Sequence, residues 1–282
     1  MLRIGQVEPT ATSDGKYTDG NVAGGTPATR LRAPAFNALQ EELANIVESA
    51  GMTLDPNNMT QVLTALKKLL PISGRLLNVR TFTSSANFTP TPGMTFSIVE
   101  VQGAGGGSGG VPATGSSSVG ASGAGGSGAY AKGIFTAVQI GSSQAVTIGV
   151  GGAAGTAGGG DGGTGGTSSF GSLIVCPGGN GGGSTGSTAI SFPTSRGGST
   201  ETTAPTGGNI ISTKGKAGAG STVVNGSVGN LGTGAASPYS AGGTGGDGEN
   251  GSGAGGLVNL INQPARAGFN GGKGFVTVCE YA

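Results

Sequence analysis

The sequence predicts a multi-domain chain. A short N-terminal α-helical, coiled-coil-like bundle is followed by a mainly β domain with glycine-rich, polyglycine II-type helices and long loops. Three observations carry this. Of the 64 glycines among 282 residues, only 8 fall before residue 103, which writes a domain boundary into the composition. Two segments before that boundary show helical 3,4 spacing. Runs of β-branched and aromatic residues recur between glycine-rich stretches, which suits strands joined by long excursions.

Residues 1–30 form a polar, Gly/Thr-rich arm. Such an arm is either a disordered terminus or a docking arm that orders on a partner. The first helix is expected over 34–50, with Pro34 in its first turn and Gly51 as its stop. Phe36, Leu39, Leu43 and Ile46 step along it at the spacing of a coiled-coil seam. Asp55 as N-cap and Pro56 as first helical residue predict a second helix. It carries Met59, Val62, Leu66 and Leu69 and ends before Pro71. Isolated helices of this length are marginal in water. They therefore pack on each other or on other copies, and the strict seam favours an oligomeric bundle.

Beyond Gly74 the pattern turns to strands. RLLNVRTF (75–82), TFSIVEVQ (95–102), YAKGIFTA (130–137), QAVTIGV (144–150), SSFGSLIVC (168–176) and GFVTVCEY (274–281) are the expected framework. Residues 83–94 between the first two read as a turn.

Glycine between these strands has a phase. In GGGDGGTGG (158–166), Asp161 and Thr164 fall three apart, and Thr167 continues the series. Thr244, Asp247 and Asn250 repeat the spacing, as do Ala124, Ser127 and Tyr130. A threefold, polyproline II-like helix rises about 3.1 Å per residue and has no internal hydrogen bonds. In that geometry G-G-x leaves two bare faces and one decorated face. Bare faces let neighbouring backbones approach and pair their N–H and C=O groups, which must find partners once buried. Glycine loses the most conformational freedom on ordering. Many cooperative bonds are therefore needed, and a trimer gives each chain neighbours. Recurring apolar clusters such as LIV (173–175) and LVNLI (257–261) argue against a flexible linker. Broken phase and sparse proline argue against collagen. GGKG (271–274) is no Walker loop, and GGTGGD (242–247) matches a calcium-binding repeat only once.

The absence of His removes Ser-His-Asp and Cys-His catalysis and the commonest metal ligand. Cys176 and Cys279 cannot close a four-ligand zinc site and are read as free, buried thiols. Lys+Arg 14 against Asp+Glu 13 leaves net charge +1, so no general pull toward nucleic acid or anionic membrane is expected. No span of apolar residues suits a membrane, and the start lacks a signal-peptide core, which predicts synthesis in the cytosol. The acidic residues after 102 include the close pair Asp247 and Glu249, read as solvated surface rather than a depolymerase pair. No enzyme, cofactor or metal is expected.

Several stretches carry a family resemblance. LRAPAFNALQEELANIVESAGMTLDPNNMTQVLTALKKLL (31–70) resembles the N-terminal part of tailed-bacteriophage tail fibres. VEVQGAGGGSGG (99–110), VTIGVGGAAGTAGG (146–159) and GGKGFVTVCEY (271–281) resemble the glycine-rich tip domain of such fibres. The resemblance implies a homotrimeric, non-catalytic virion protein, made in the host cytoplasm and carried on the tail fibre or baseplate. Its parts would be an attachment arm (1–30), a two-helix oligomerisation segment (31–73), a β connector (74–102) and a receptor-binding tip (103–282). Partners would be tail or baseplate proteins and a host cell-surface receptor, protein or glycan. Loops that break the glycine rhythm would carry specificity, with Phe192, Arg196 and Tyr239 as candidate contacts. The alternative is a purely structural tail or baseplate component without receptor contact.

Overall fold

The computed structural model describes residues 3–69, 74–190 and 192–282. Pro71, expected to close the second helix, lies outside them. The chain divides into two compact units, Met1–Ser73 and Gly74–Ala282. Among the described residues no helix is long and apolar enough to cross a membrane.

The first unit opens with a short 3-10 turn at Ile4–Gln6. Arg32 meets the buried carboxylate of Glu8, so the arm folds back on the entry to the first helix. The guanidinium beside Glu8, with bonds from Thr10, holds its carboxyl below the usual carboxylate range. Helix α1 (Ala33–Ser49) carries Pro34 in its first turn, as the sequence predicts. Helix α2 is Gln61–Leu69, shorter than expected. Asp55 does not start it. The Asp55 side chain instead accepts from the Asn57 amide at 2.9 Å, and Asn58 accepts from the Thr60 amide at 2.9 Å. Successive Asp and Asn side chains thus capture local amides and make a turn, a conformation they favour over helix. Met59 consequently lies outside α2. The two helices meet through a small core of Val47, Ala50 and Ala65, with Ile46, Met52 and Val62 at its margin.

The second unit is β-rich. Its strands in chain order are β1 (Leu76–Phe82), β2 (Ala86–Phe88), β3 (Phe96–Gln102), β4 (Ser118–Ala121), β5 (Tyr130–Thr136), β6 (Gln144–Thr147), β7 (Ser168–Phe170) and β8 (Ile174–Cys176). They continue as β9 (Thr188–Ala189), β10 (Thr194–Arg196), β11 (Ile211–Thr213), β12 (Ser221–Asn225), β13 (Val228–Asn230), β14 (Val258–Asn259) and β15 (Phe275–Tyr281). A short helix, α3 (Ala137–Ile140), follows β5 and is capped by Thr136, whose hydroxyl accepts from the Gln139 amide.

Two sheets form the main core. One is antiparallel in the order β1-β15-β3-β5-β11, and the other runs β2-β6-β7-β8. Alternation on β15 and on β3 up to Val101 points Val276, Val278, Val99 and Val101 inward. They pack against Phe88, Val146, Phe170, Ile174 and Cys176 of the second sheet. The expected strand 168–176 is instead the hairpin β7–β8, because Gly171 takes φ +51 and turns the chain. The expected turn 83–94 contains β2. Cys176 lies in the core, where its Sγ reaches the Val101 carbonyl at 3.2 Å. Cys279 sits on the outer face of the five-stranded sheet, so the sheet separates the two thiols and both are free.

Glycine segments fill the space beyond this sandwich. Residues 103–111 are entirely buried and donate in three directions. Gly103, Gly106 and Gly109 donate to Ala129, Gly126 and Gly123 at 2.8–3.2 Å. Ala104, Gly107 and Gly110 donate to Gly166, Gly163 and Gly160, and Gly105, Ser108 and Val111 to Gly272, Phe269 and Arg266. Each set steps by three, the period of a threefold helix. Three more segments donate to this one: Gly179 and Gly182 to Ala104 and Gly107, Gly152 and Gly155 to Gly105 and Ser108, and Ala254 to Gly106. The six neighbours also bond to one another in turn around the ring. Residues 103–111 thus sit at the centre of a hexagon of backbones. Residues 122–129 form a second centre, bonded to 103–111, 177–183, 215–220 and 251–257 and receiving Ser199 and Ala235. Glycine is obligatory where the backbones close up: a Cβ on Gly105 would overlap the Ser252 carbonyl, and one on Gly107 the Ala153 carbonyl.

The decorated face behaves in two ways. In 160–166, Gly162 and Gly165 bond to Gly182 and Gly179, while Gly163 and Gly166 bond to Ala153 and Val150. Asp161, Thr164 and Thr167 form the third face and are exposed. Ala124 and Ser127 are buried at 0% and 2% exposure, because 122–129 lies inside the array and its third face bonds to 215–220. Only small residues fit there. The run 244–250 is not a continuous threefold helix, since Gly245 takes φ +61 and Asn250 φ 44.

Candidate functional site

The glycine segments carry the chain away from the sandwich and back. Several outward runs lead into the short strands of two small sheets, β10-β12-β13 and β14-β4-β9, while 149–155 turns back at 157–159 as 160–166. Val119, Ala121 and Val223 form their shared core, flanked by Val258, Leu260 and Ile261. Ser122 and Ser221 tie this far end to the array: Ser221 donates to the Ser122 carbonyl at 2.6 Å, and Ser122 accepts from the Leu257 amide at 3.0 Å. Around the small core Ile190, Phe192, Val224, Val228 and Leu231 remain exposed.

Phe192 and Arg196 both belong to this far end. Phe192 is 41% exposed. Arg196 is exposed on β10, opposite Ser221 of β12. Its guanidinium lies along the bare backbone at Gly183, where a Cβ would collide with it. Glycine here makes room for the arginine.

Tyr239 does not join them. Its ring packs edge-on against Phe275 at 4.7 Å and Tyr130 at 5.9 Å, on the five-stranded sheet. The Tyr239 hydroxyl donates to Glu100. Glu100 also accepts from Tyr130 at 3.1 Å and pairs with Lys132 at 2.8 Å. Burial first, then Glu100, raises the Tyr130 phenol well above its ordinary range, and Glu100 holds Lys132 more firmly charged. The cluster is charge-balanced, and its hydrogen-bond donors are already directed at one carboxylate. It positions Tyr239 and leaves no free acid or base. Sequence spacing does not reveal it. Glu100 and Lys132 are directly opposite only through the β3–β5 register.

Three of the segments that break the glycine rhythm divide between the two ends. NIISTKGK (209–216) contains β11 and ASPYSA (236–241) carries Tyr239, both at the sandwich. STVVNGSVGNL (221–231) is the β12–β13 hairpin at the far end. The carboxylates of Asp161 and Asp247 accept from the Ser184 and Asn270 amides at 2.8 and 2.7 Å, so both fasten neighbouring segments. Among the described residues no three His, Cys, Asp or Glu side chains converge as a metal site.

In the helical unit the seam residues separate. Ile46 and Val62 border the α1–α2 core. Phe36, Leu39, Leu43, Met59, Leu66 and Leu69 stay between 40% and 87% exposed. Part of the seam that spacing assigned to packing thus stays uncovered, while Val47, Ala50 and Ala65 form the intramolecular core with Ile46 and Val62 at its margin.

No family model matches the chain. A 54-residue stretch, 19% of the chain, is 48% identical to the Uncharacterized protein StfP of Escherichia coli (strain K12). The match covers 26% of that relative's length, so the chain spans about a quarter of it.

Proposed function

We propose that this chain is a bacteriophage tail-fibre protein of the receptor-binding kind, non-catalytic and homotrimeric, carried on the virion. In this reading the helical unit serves attachment and trimerisation, and the glycine array is a polyglycine II-type strut for the contact surface. The observation that carries it is the array itself. It joins glycine segments through backbone hydrogen bonds between neighbours, and its far end presents exposed apolar side chains and Arg196 on two small sheets. Such a strut resists bending without a large apolar core, which suits a part that must hold a surface outward. Aromatic and arginine side chains often dominate interface energetics.

The trimer is supported by the exposed seam. Phe36, Leu39, Leu43, Leu66 and Leu69 are large apolar side chains left uncovered by the α1–α2 pair. Covering the remaining exposed area of each, about half of the side chain, stabilises association by roughly 1 kcal/mol. The test is adsorption of purified protein to host cells. Phe192→Ala with Arg196→Ala should weaken adsorption at least tenfold, with folding unchanged by circular dichroism. Unchanged adsorption would remove the far end as the contact surface. A chain needed for particle assembly but not for adsorption would favour a purely structural tail component.

A further inference from the structure

A second surface, at the sandwich end of the glycine-rich unit, has the chemistry of a ligand site. A cleft of about 200 Å³ opens between 213–216 and 236–238. Its walls include Ser127, Tyr130, Thr213, Lys214, Lys216 and Pro238. Three features distinguish it from an ordinary surface crevice.

The first is unbalanced charge. Lys214 and Lys216 are exposed, and neither is paired with a carboxylate among the described residues. Glu100, which accepts from Tyr130 of the cleft wall, is taken up by Lys132 and the two phenols, and Glu201, beside the Thr202 that bonds to Gly215, forms an ion pair with neither lysine. The glycine-rich part carries few charges, so two free cations on one lip create a local positive field. The second is residual hydrogen-bonding capacity. Ser127 Oγ accepts from the Lys216 amide at 2.9 Å, which leaves its proton free to donate. Thr213 Oγ1 donates to the Tyr130 carbonyl at 3.4 Å, which leaves its lone pairs free to accept. The third is an apolar wall made by Pro238 and the adjoining loop. That loop is held in place by Tyr239 against Phe275 and by Ser237, which donates to the Asn250 carbonyl at 2.7 Å.

Free donor, free acceptor, apolar wall and paired cations together match one ligand class. We propose that this cleft binds an anionic saccharide, a sugar ring bearing a carboxylate or phosphate. The ammonium groups of Lys214 and Lys216 take the anion, Ser127 and Thr213 meet ring hydroxyls, and Pro238 covers an apolar ring face. The inference rests on the receptor-contact reading and deepens it by naming a ligand class at a second surface.

The test uses the full purified chain with four probes: glucuronic acid, glucose 6-phosphate, glucose and inorganic phosphate. Binding is followed by NMR titration of the lysine and backbone signals. The two acidic sugars should bind at least tenfold tighter than glucose. Lys214→Ala with Lys216→Ala should abolish that difference while the thermal midpoint stays unchanged, and Lys214→Arg with Lys216→Arg should retain it. Equal binding of glucose and glucuronic acid overturns the proposal. So does inorganic phosphate binding as tightly as glucose 6-phosphate, or an alanine pair that binds as well as the parent. Tight binding of acidic sugars by a protein that contributes nothing to particle adsorption would leave the site standing and remove the tail-fibre reading. Adsorption that depends on the chain but not on these lysines, with no acidic-sugar binding, would do the reverse.

Discussion

The amide of Gly106 donates to the carbonyl of Gly126 at 2.8 Å, and three residues on Gly109 donates to Gly123 at 3.2 Å. Two backbones run antiparallel with no side chain between them. A methyl on Gly106 would overlap the Asn180 carbonyl of a third segment. At Gly106 the close approach of that third segment leaves room for hydrogen alone.

Gly106→Ala must therefore push one of these segments away. Overpacking of this kind costs about 3 kcal/mol, with strained bonds in addition. For a unit of this size that lowers the thermal midpoint by roughly 6–12 °C. Thr164→Ala, on the exposed face of 160–166, should stay within about 0.5 kcal/mol of the parent. Calorimetry of the two variants side by side checks the contrast.

Glu280 is fully buried and pairs with Arg80 at 3.2 Å, while the Thr91 amide donates to it at 2.6 Å. Arg80→Ala would leave a buried carboxylate without its cation, at a cost of about 3–5 kcal/mol. Adding Glu280→Gln should recover part of that loss, because the charge goes while hydrogen bonding to Thr91 can persist. Urea unfolding of the single and double variants measures the recovery.

Burial pushes the Cys176 thiol up to about 12, whereas Cys279 lies on the outer sheet face and is raised less completely by its partial burial. A thiol reagent at pH 8 should label Cys279 first and reach Cys176 only on unfolding. The raised value also sets a sign. Above the unfolded thiol's ordinary range the unfolded chain loses its proton while the folded chain keeps it. The contribution is thus fully present below about pH 8.5 and falls by roughly 1.4 kcal/mol per unit as pH rises toward 12. Cys176→Val should flatten that part of the stability profile relative to the parent.

Leu39 and Leu43 project from α1 outside the small intramolecular core, each 44% exposed. Leu39→Asp with Leu43→Asp should convert the proposed trimer to monomer at micromolar concentration and leave the helical signal largely intact. Analytical ultracentrifugation reads the mass. A parent that sediments as a monomer, or a variant with unchanged mass, would sink the seam as an association surface.

Much of this was legible in the residues. Pro34 and Gly51 bracket α1, and the β-rich runs 95–102 and 274–281 mark β3 and β15. The G-G-x phase anticipated that Asp161 and Thr164 would share one edge, because a threefold period depends only on local backbone geometry; that this edge is exposed is a tertiary outcome. Local chemistry also explains the misread start of α2, where Asp55 and Asn58 capture amides that a helix would need. Other features depend on residues far apart in the chain. Ala124 and Ser127 follow the same phase as Asp161 and Thr164 yet are buried, because six other segments happen to surround theirs. Phe192 and Arg196 share one end and Tyr239 the other, although all three interrupt glycine in similar ways. A period tells which side chains lie on one face of a segment. What that face meets is decided by the antiparallel return of distant segments, whose hydrogen bonds form only once the whole array closes.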